Sequence, residues 1–118
     1  MPKTVLIVDD HPSFRGSARA ILEAEGFVVV GEAESGAAAL DATRRLHPDV
    51  VLLDVQLPDG SGFDVCSALL QANGAAPEIV LVSSRDACDY GGLIASCGAC
   101  GFVPKAELSG DAVSALLE

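Results

Sequence analysis

The chain has no tryptophan, one tyrosine and four phenylalanines in 118 residues. Its core must therefore come from Val, Leu, Ile and Ala. Half of the residues are hydrophobic, too many for a disordered tail. Basic residues are also scarce: seven Lys and Arg stand against seventeen Asp and Glu, for a net charge of −10. A chain so acidic repels nucleic-acid phosphates, which argues against this chain alone gripping nucleic acid. No apolar run approaches the roughly 20 residues of a membrane span, and no membrane partner is expected. The first apolar run, after Met1-Pro2-Lys3-Thr4, is too short for a secretory leader and ends in two acids. The expected location is the cytoplasm. There is no linker, repeat or low-complexity tract, so residues 1–118 read as one domain.

Cysteines number four: Cys66, Cys88, Cys97 and Cys100. Cys97-Gly98-Ala99-Cys100 matches C-x-x-C, but a second half for a metal site is missing, as is the early strand-to-helix setting of a thioredoxin motif. In a cytosolic chain these read as reduced cysteines in the core or in turns.

What the chain does have is a series of short, evenly spaced apolar runs. Val5–Val8, Val28–Val30, Val50–Leu53 and Ile79–Val82 read as strands, with Phe102-Val103 a weaker fifth. Unbroken apolar runs mark strands covered on both faces, as in a parallel sheet. Helical spacing fills the intervals. Phe14, Ala18, Ile21 and Leu22 form a stripe that stops at Gly26. Ser35 precedes a helix over 37–46, closed before Pro48. Further helices are expected over 63–70, 87–96 and 111–117, the fourth weakened by Gly91-Gly92. Five strand–helix repeats with right-handed crossovers place helices on both faces. Spacing does not fix the strand order. The flavodoxin-like order 2-1-3-4-5 is one of two common choices, and it puts the ligand crevice at the C-terminal ends of strands 1 and 3.

Those ends carry the chemistry. Asp9-Asp10 follow the first strand, Asp54 ends the third, Ser83-Ser84 end the fourth and Lys105 follows the fifth. On one sheet edge they would bring together three carboxylates, a hydroxyl and an ammonium. Carboxylates packed together repel unless a cation sits among them, and hard oxygen ligands with room for water suit Mg²⁺. A carboxylate nucleophile attacking phosphorus gives an acyl phosphate, and Mg²⁺, Lys105 and Ser83 could clamp the phosphoryl oxygens.

The segments V-D-D-H-P-S-F-R, L-L-D-V-Q-L-P-D-G-S-G, L-V-S-S and G-F-V-P-K resemble the signature segments of response-regulator receiver domains across the whole chain. The D-D-H-P-x-F-R start resembles receivers joined to LuxR-type helix-turn-helix outputs. The resemblance implies a flavodoxin-like (βα)5 sandwich and a phosphorelay switch. Asp54 would be the phosphoacceptor, Asp10 a direct Mg²⁺ ligand and Asp9 a ligand mainly through water. The Gln56 backbone carbonyl would complete the protein ligands, and Ser83 and Lys105 would hold the phosphoryl group. Phe102 would be the aromatic switch residue that turns as Ser83 moves. The implied donor is a sensor histidine kinase, met around Phe14, Arg15, Ala18 and Arg19. The implied readout face is the fourth helix, fifth strand and fifth helix, acting on a second copy of the chain or on an output domain that controls transcription. Such a protein accepts phosphoryl on itself and is not a conventional enzyme. Where receivers often have a proline after the lysine, in a cis peptide, this chain has Ala106. Gln56 and Arg85 stand where family members tune phosphate lifetime.

Taken singly, these residues have plain readings: Asp9-Asp10 a helix start, Asp54 a loop acid, Lys105 a solvated lysine, Ser83 a cap. That account needs four coincidences at four strand ends. His11 and His47 read as helix-start and helix-end residues, and Asp59-Gly60-Ser61-Gly62 as a turn whose glycines allow close approach to the site. An aspartyl phosphatase would need a second acid where Gln56 stands, and a dinucleotide-binding domain would need G-x-G-x-x-G where Asp9-Asp10 stand. A receiver working as an unphosphorylated interaction module is the remaining alternative. The abrupt ending at Leu117-Glu118 suggests a piece of a longer protein.

Overall fold

The computed structural model describes residues 3–71, 76–85, 90 and 92–117. Five parallel strands, β1 (Thr4–Val8), β2 (Val28–Ala33), β3 (Val50–Asp54), β4 (Glu78–Ser83) and β5 (Gly101–Pro104), form one sheet in the order β2-β1-β3-β4-β5. This is the expected flavodoxin-like order. The helices are α1 (Pro12–Glu25), α2 (Gly36–Leu46), α3 (Gly62–Gln71), α4 (Leu93–Ser96) and α5 (Gly110–Leu117). A 3₁₀ turn covers Lys105–Glu107, and Gln56–Leu57 pair with Gly60–Ser61 in a small antiparallel hairpin. No helix among the described residues is long and apolar enough to cross a membrane.

The unbroken apolar runs divide between two cores because successive strand residues face opposite sides. Leu6, Val8, Val51, Leu53, Ile79 and Leu81 pack with Ala39 and Ala42 of α2 and Val65, Cys66 and Leu69 of α3. Val5, Ile7, Val50, Leu52, Val80 and Val82 pack on the other face with Ala18 and Leu22 of α1 and Val113 of α5. Every residue of β3 is buried, which explains why its sequence shows no alternation.

Helix ends follow local chemistry. Pro12 opens α1, and Gly26 closes it in the left-handed region at φ 103°. Ser35 Oγ accepts from Ala38 N–H at 3.1 Å, and His47, the expected helix-end residue, closes α2 at φ 48°. A second cap of α2 comes from far along the chain. The Asp59 carboxylate accepts from Gly36 N–H at 2.8 Å and Ala37 N–H at 3.0 Å, and these two donors hold its pKa below the ordinary carboxylate range.

The fourth helix is expected over 87–96. Among the described residues the α-helix covers Leu93–Ser96, with Tyr90 and Gly92 outside it, and the rest of the expected span, residues 87–89 with Cys88 and residue 91, lies outside the described residues. Glycine just before the helix removes both propensity and a side-chain cap. The Lys105–Ala106 peptide is trans.

Gly62 has no room for a side chain. A Cβ there would lie 2.2 Å from the Asp54 carbonyl oxygen and 2.8 Å from Val55 Cα, and both are backbone. Gly62→Ala must displace the β3–α3 connection, and a loss of about 2 kcal/mol is expected from such overpacking. Urea unfolding midpoints of the two proteins check this; equal midpoints would mean that the loop yields freely.

Candidate functional site at the C-terminal edge of the sheet

Strand register brings the site together. Val8 pairs with Leu53, so Asp9 stands level with Asp54. Asp54 pairs with Val82, one residue before Ser83, and Ser83 pairs with Pro104, which sets Lys105 beyond it. The result is a cavity of about 210 Å³ bordered by Asp10, His11, Asp54, Gln56, Ser84 and Lys105.

Asp9 and Ser83 have no solvent exposure, Asp54 is buried, and Asp10 is exposed. Lys105 Nζ lies 2.6 Å from Asp9 Oδ2 and 3.3 Å from Asp54 Oδ2. The Asp54 carboxylate also accepts from Gln56 N–H at 3.1 Å, through Oδ1. Burial, helped by the Asp9 charge, raises the Asp54 pKa despite the Gln56 N–H and Lys105. For Lys105 burial works against the charge, but hydrogen bonds and attraction from Asp9 and Asp54 outweigh it and raise its pKa. The Phe14 ring lies under Nζ at 4.5 Å, a cation–π contact on its remaining side.

This geometry fits a small divalent cation. Asp9 Oδ2 is buried, and its charge is met by Lys105. One ligand atom from each of Asp9, Asp10, His11 and Asp54 lies within 4.8 Å of the others. Oxygen-rich clusters of this kind suit Mg²⁺ and related ions.

Ser83 belongs to the edge, but its hydroxyl is engaged elsewhere. It sits 2.5 Å from Tyr90 Oη and accepts from Arg85 N–H at 3.1 Å. The Tyr90 ring meets Phe63 edge-on at 5.5 Å and Phe102 at 5.8 Å. Phe102 is thus linked to Ser83 through Tyr90, a residue the sequence reading passed over. Its signal was available: the chain's sole tyrosine, seven residues past Ser83, needs a partner for its hydroxyl when half-buried. Tyr90→Phe is expected to destabilise by about 1 kcal/mol, the worth of one such hydrogen bond. A urea midpoint equal to that of the parent would show the bond to be dispensable.

The surface proposed for kinase contact needs correction at one position. Ala18 is fully buried against the sheet, because it shares the inward stripe of α1 with Leu22, four residues on. Arg15 and Arg19 both bind Glu32 of β2, at 2.9 Å each, and Arg15 Nη1 donates to the Asp9 carbonyl at 2.6 Å. Burial would raise the Glu32 carboxyl, but these arginines hold it below its ordinary value. Of the cysteines, Cys66 is buried and its thiol is pushed up to about 12, by burial first and by Cys97 and Cys100 next. Cys97 closes α4 and Cys100 is exposed.

An α/β sheet with carboxylates and a lysine gathered at its C-terminal edge defines an acidic, cation-ready switch-point site. Residues 5–116 match the response regulator receiver domain, and the chain belongs to that family. It is 39% identical over 105 residues to the nitrate/nitrite response regulator protein NarP of Escherichia coli, an alignment covering 88% of this chain and 48% of NarP. It is 41% identical over 91 residues to the DNA-binding response regulator MtrA of Mycolicibacterium smegmatis, covering 75% of this chain and 38% of MtrA. The chain spans about half the length, or less, of these relatives. Among solved structures it is similar to a LuxR-family two-component response regulator from Aurantimonas sp. SI85-9A1, 31% identical with a TM-score of 0.85, covering 99% of this chain and 86% of that one.

Proposed function

We propose that residues 1–118 form one receiver domain that works as a phospho-accepting switch, with Asp54 as the acceptor. The observation that carries this reading is the gathering of Asp9, Asp10, Asp54 and Lys105 at one sheet edge of a receiver-family chain. An Asp54 oxygen attacks phosphorus of a phosphohistidine on a sensor histidine kinase. The O–P bond forms as the N–P bond breaks, and the electron pair leaves with the imidazole. Gln56 N–H and Lys105 hold the two Asp54 oxygens and so fix the attacking group. Asp9, Asp10, Asp54 and the Gln56 backbone carbonyl would hold Mg²⁺, which when bound neutralises charge on the phosphoryl oxygens. Lys105 pairs with one of those oxygens. Ser83 exchanges Tyr90 for another, and Phe102 follows the vacated space.

The altered face of α4, β5 and α5 then acts on a second copy of the chain or on an output domain that controls transcription; DNA is reached only through that output. The chain works in the cytoplasm and is not a conventional enzyme. Intact mass after incubation with acetyl phosphate and Mg²⁺ tests the reading. A gain of one phosphoryl group is expected, lost with Asp54→Asn and with EDTA. Stoichiometric labelling of Asp54→Asn would overturn the assignment. Failure of the parent protein to take phosphoryl, or to bind beryllofluoride, would favour an unphosphorylated interaction module.

A further inference from the structure

We infer that His11 is a further ligand of the cation site and turns its preference from Mg²⁺ toward first-row transition-metal dications, for which Mn²⁺ and Co²⁺ serve as probes. The inference rests on the reading of Asp9, Asp10 and Asp54 as a cation site.

The residue before a proline is driven into extended backbone, and His11, before Pro12, sits at φ −99° and ψ 109°. This turns its imidazole back over the acids. Nδ1 lies 3.0 Å from Asp9 Oδ1 and 3.1 Å from Asp10 Oδ1. The two oxygens of Asp9 are divided: Oδ2 faces Lys105, while Oδ1 faces the ring and the His11 N–H at 2.8 Å. Asp9 is fully buried, so the two oxygens of its carboxylate depend on Lys105 on one side and on His11 on the other. A ring nitrogen of His11 belongs to the group of ligand atoms, Asp54 included, that lie within 4.8 Å of one another.

Three carboxylates alone are a hard set, and Mg²⁺ accepts oxygen ligands and keeps its waters. An imidazole nitrogen changes the set. Nitrogen ligands favour transition-metal dications over Mg²⁺, in rising order from Mn²⁺ to Co²⁺ and beyond. When such an ion is held, the Nδ1 lone pair forms the metal bond and any proton on that nitrogen leaves to solvent. Without an ion, the same ring hydrogen-bonds Asp9 and stands 3.1 Å from Asp10 Oδ1. His11 side-chain exposure of 65% means that its replacement leaves the core intact.

Calorimetric titration of the whole chain with Mg²⁺, Mn²⁺ and Co²⁺, each alone, compares the parent with His11→Ala and His11→Asn. Removing the nitrogen ligand is expected to weaken Co²⁺ about tenfold or more and Mn²⁺ less, with Mg²⁺ nearly unchanged. Pulsed electron paramagnetic resonance of the Mn²⁺-loaded parent is expected to show nitrogen coupling that His11→Ala lacks. An unchanged Co²⁺-to-Mg²⁺ preference, or Mn²⁺ bound without nitrogen coupling, overturns the role of His11 and leaves the acidic site standing. A parent protein that binds none of the three ions overturns both.

Discussion

In metal-free buffer, Lys105→Met is expected to lower the thermal midpoint by on the order of 10 °C. Lys105 Nζ is the cation that meets Asp9 at 2.6 Å and Asp54 at 3.3 Å, and both acids are buried. Methionine keeps an unbranched stem of similar length but leaves those charges facing each other. Stranding buried charge by removing its partner costs about 3 kcal/mol, or on the order of 10 °C in a domain of this size. The folded pKa of Lys105 is raised. Its contribution is therefore fully present below the unfolded lysine value and is lost only as pH climbs through the folded value, so the effect is undiminished at neutral pH. Mg²⁺ should return most of the loss, because binding the folded state alone at 100 times Kd adds about 2.7 kcal/mol. The gain should be larger in the variant than in the parent, where Nζ already neutralises the same oxygens. Scanning calorimetry with EDTA and with Mg²⁺ measures all four midpoints. Equal EDTA midpoints for parent and variant would mean that the lysine does not hold the acids together. Acetyl-phosphate labelling of the variant should also slow on the order of 100-fold, as for loss of one charge-stabilising donor.

Asp54→Asn should abolish labelling and, unusually for a buried substitution, raise the midpoint at neutral pH. The Asp54 pKa is raised, first by burial and then by the Asp9 charge. For a carboxyl raised in the fold, stability is highest below the unfolded pKa and falls as pH rises through the folded one. At neutral pH the ionised group is therefore a net cost, which the amide removes, while Lys105 keeps Asp9 as its partner. The advantage should vanish as pH is lowered past the ordinary aspartate range, and Mg²⁺ should stabilise the variant less than the parent. Midpoints between pH 3 and 8 check this, and a variant less stable than the parent at neutral pH would contradict the strain assigned to Asp54.

Much of this site was legible because register and strand ends are tightly linked. A run such as Val50–Leu53 can only be a strand covered on both faces, and the residue that follows it must emerge at the sheet edge. That logic placed Asp9, Asp54, Ser83 and Lys105 together before any geometry was known. Strand order was not legible from spacing, because a crossover helix spans one strand position or two with similar ease; the signature segments supplied it. Long-range side-chain contacts away from the strand ends were not legible. Nothing near Gly36 announces that Asp59 caps α2, and the turn reading of residues 59–62 saw only its glycines. Tyr90 was hidden for a related reason. Its hydroxyl meets Ser83, a strand-end residue seven positions earlier, so no helical or strand periodicity points to it. Ala18 shows the opposite error: grouped with Arg15 and Arg19, it turns inward with Leu22 and is fully buried, while the two arginines beside it reach Glu32.

The connection from β3 to α3 has no slack. It leaves Asp54, reaches out to place the Asp59 carboxylate on the first two N–H groups of α2, and returns so that Gly62 rests on the Asp54 carbonyl, with its N–H donating to Val55 at 2.6 Å. A chain fastened at both ends and in the middle can neither gain nor lose a residue without releasing one of the three attachments. Insertions between 55 and 61 would therefore uncap a helix on one flank of the sheet as well as loosen Asp54. In chimeras between receivers, this segment has to travel together with α2.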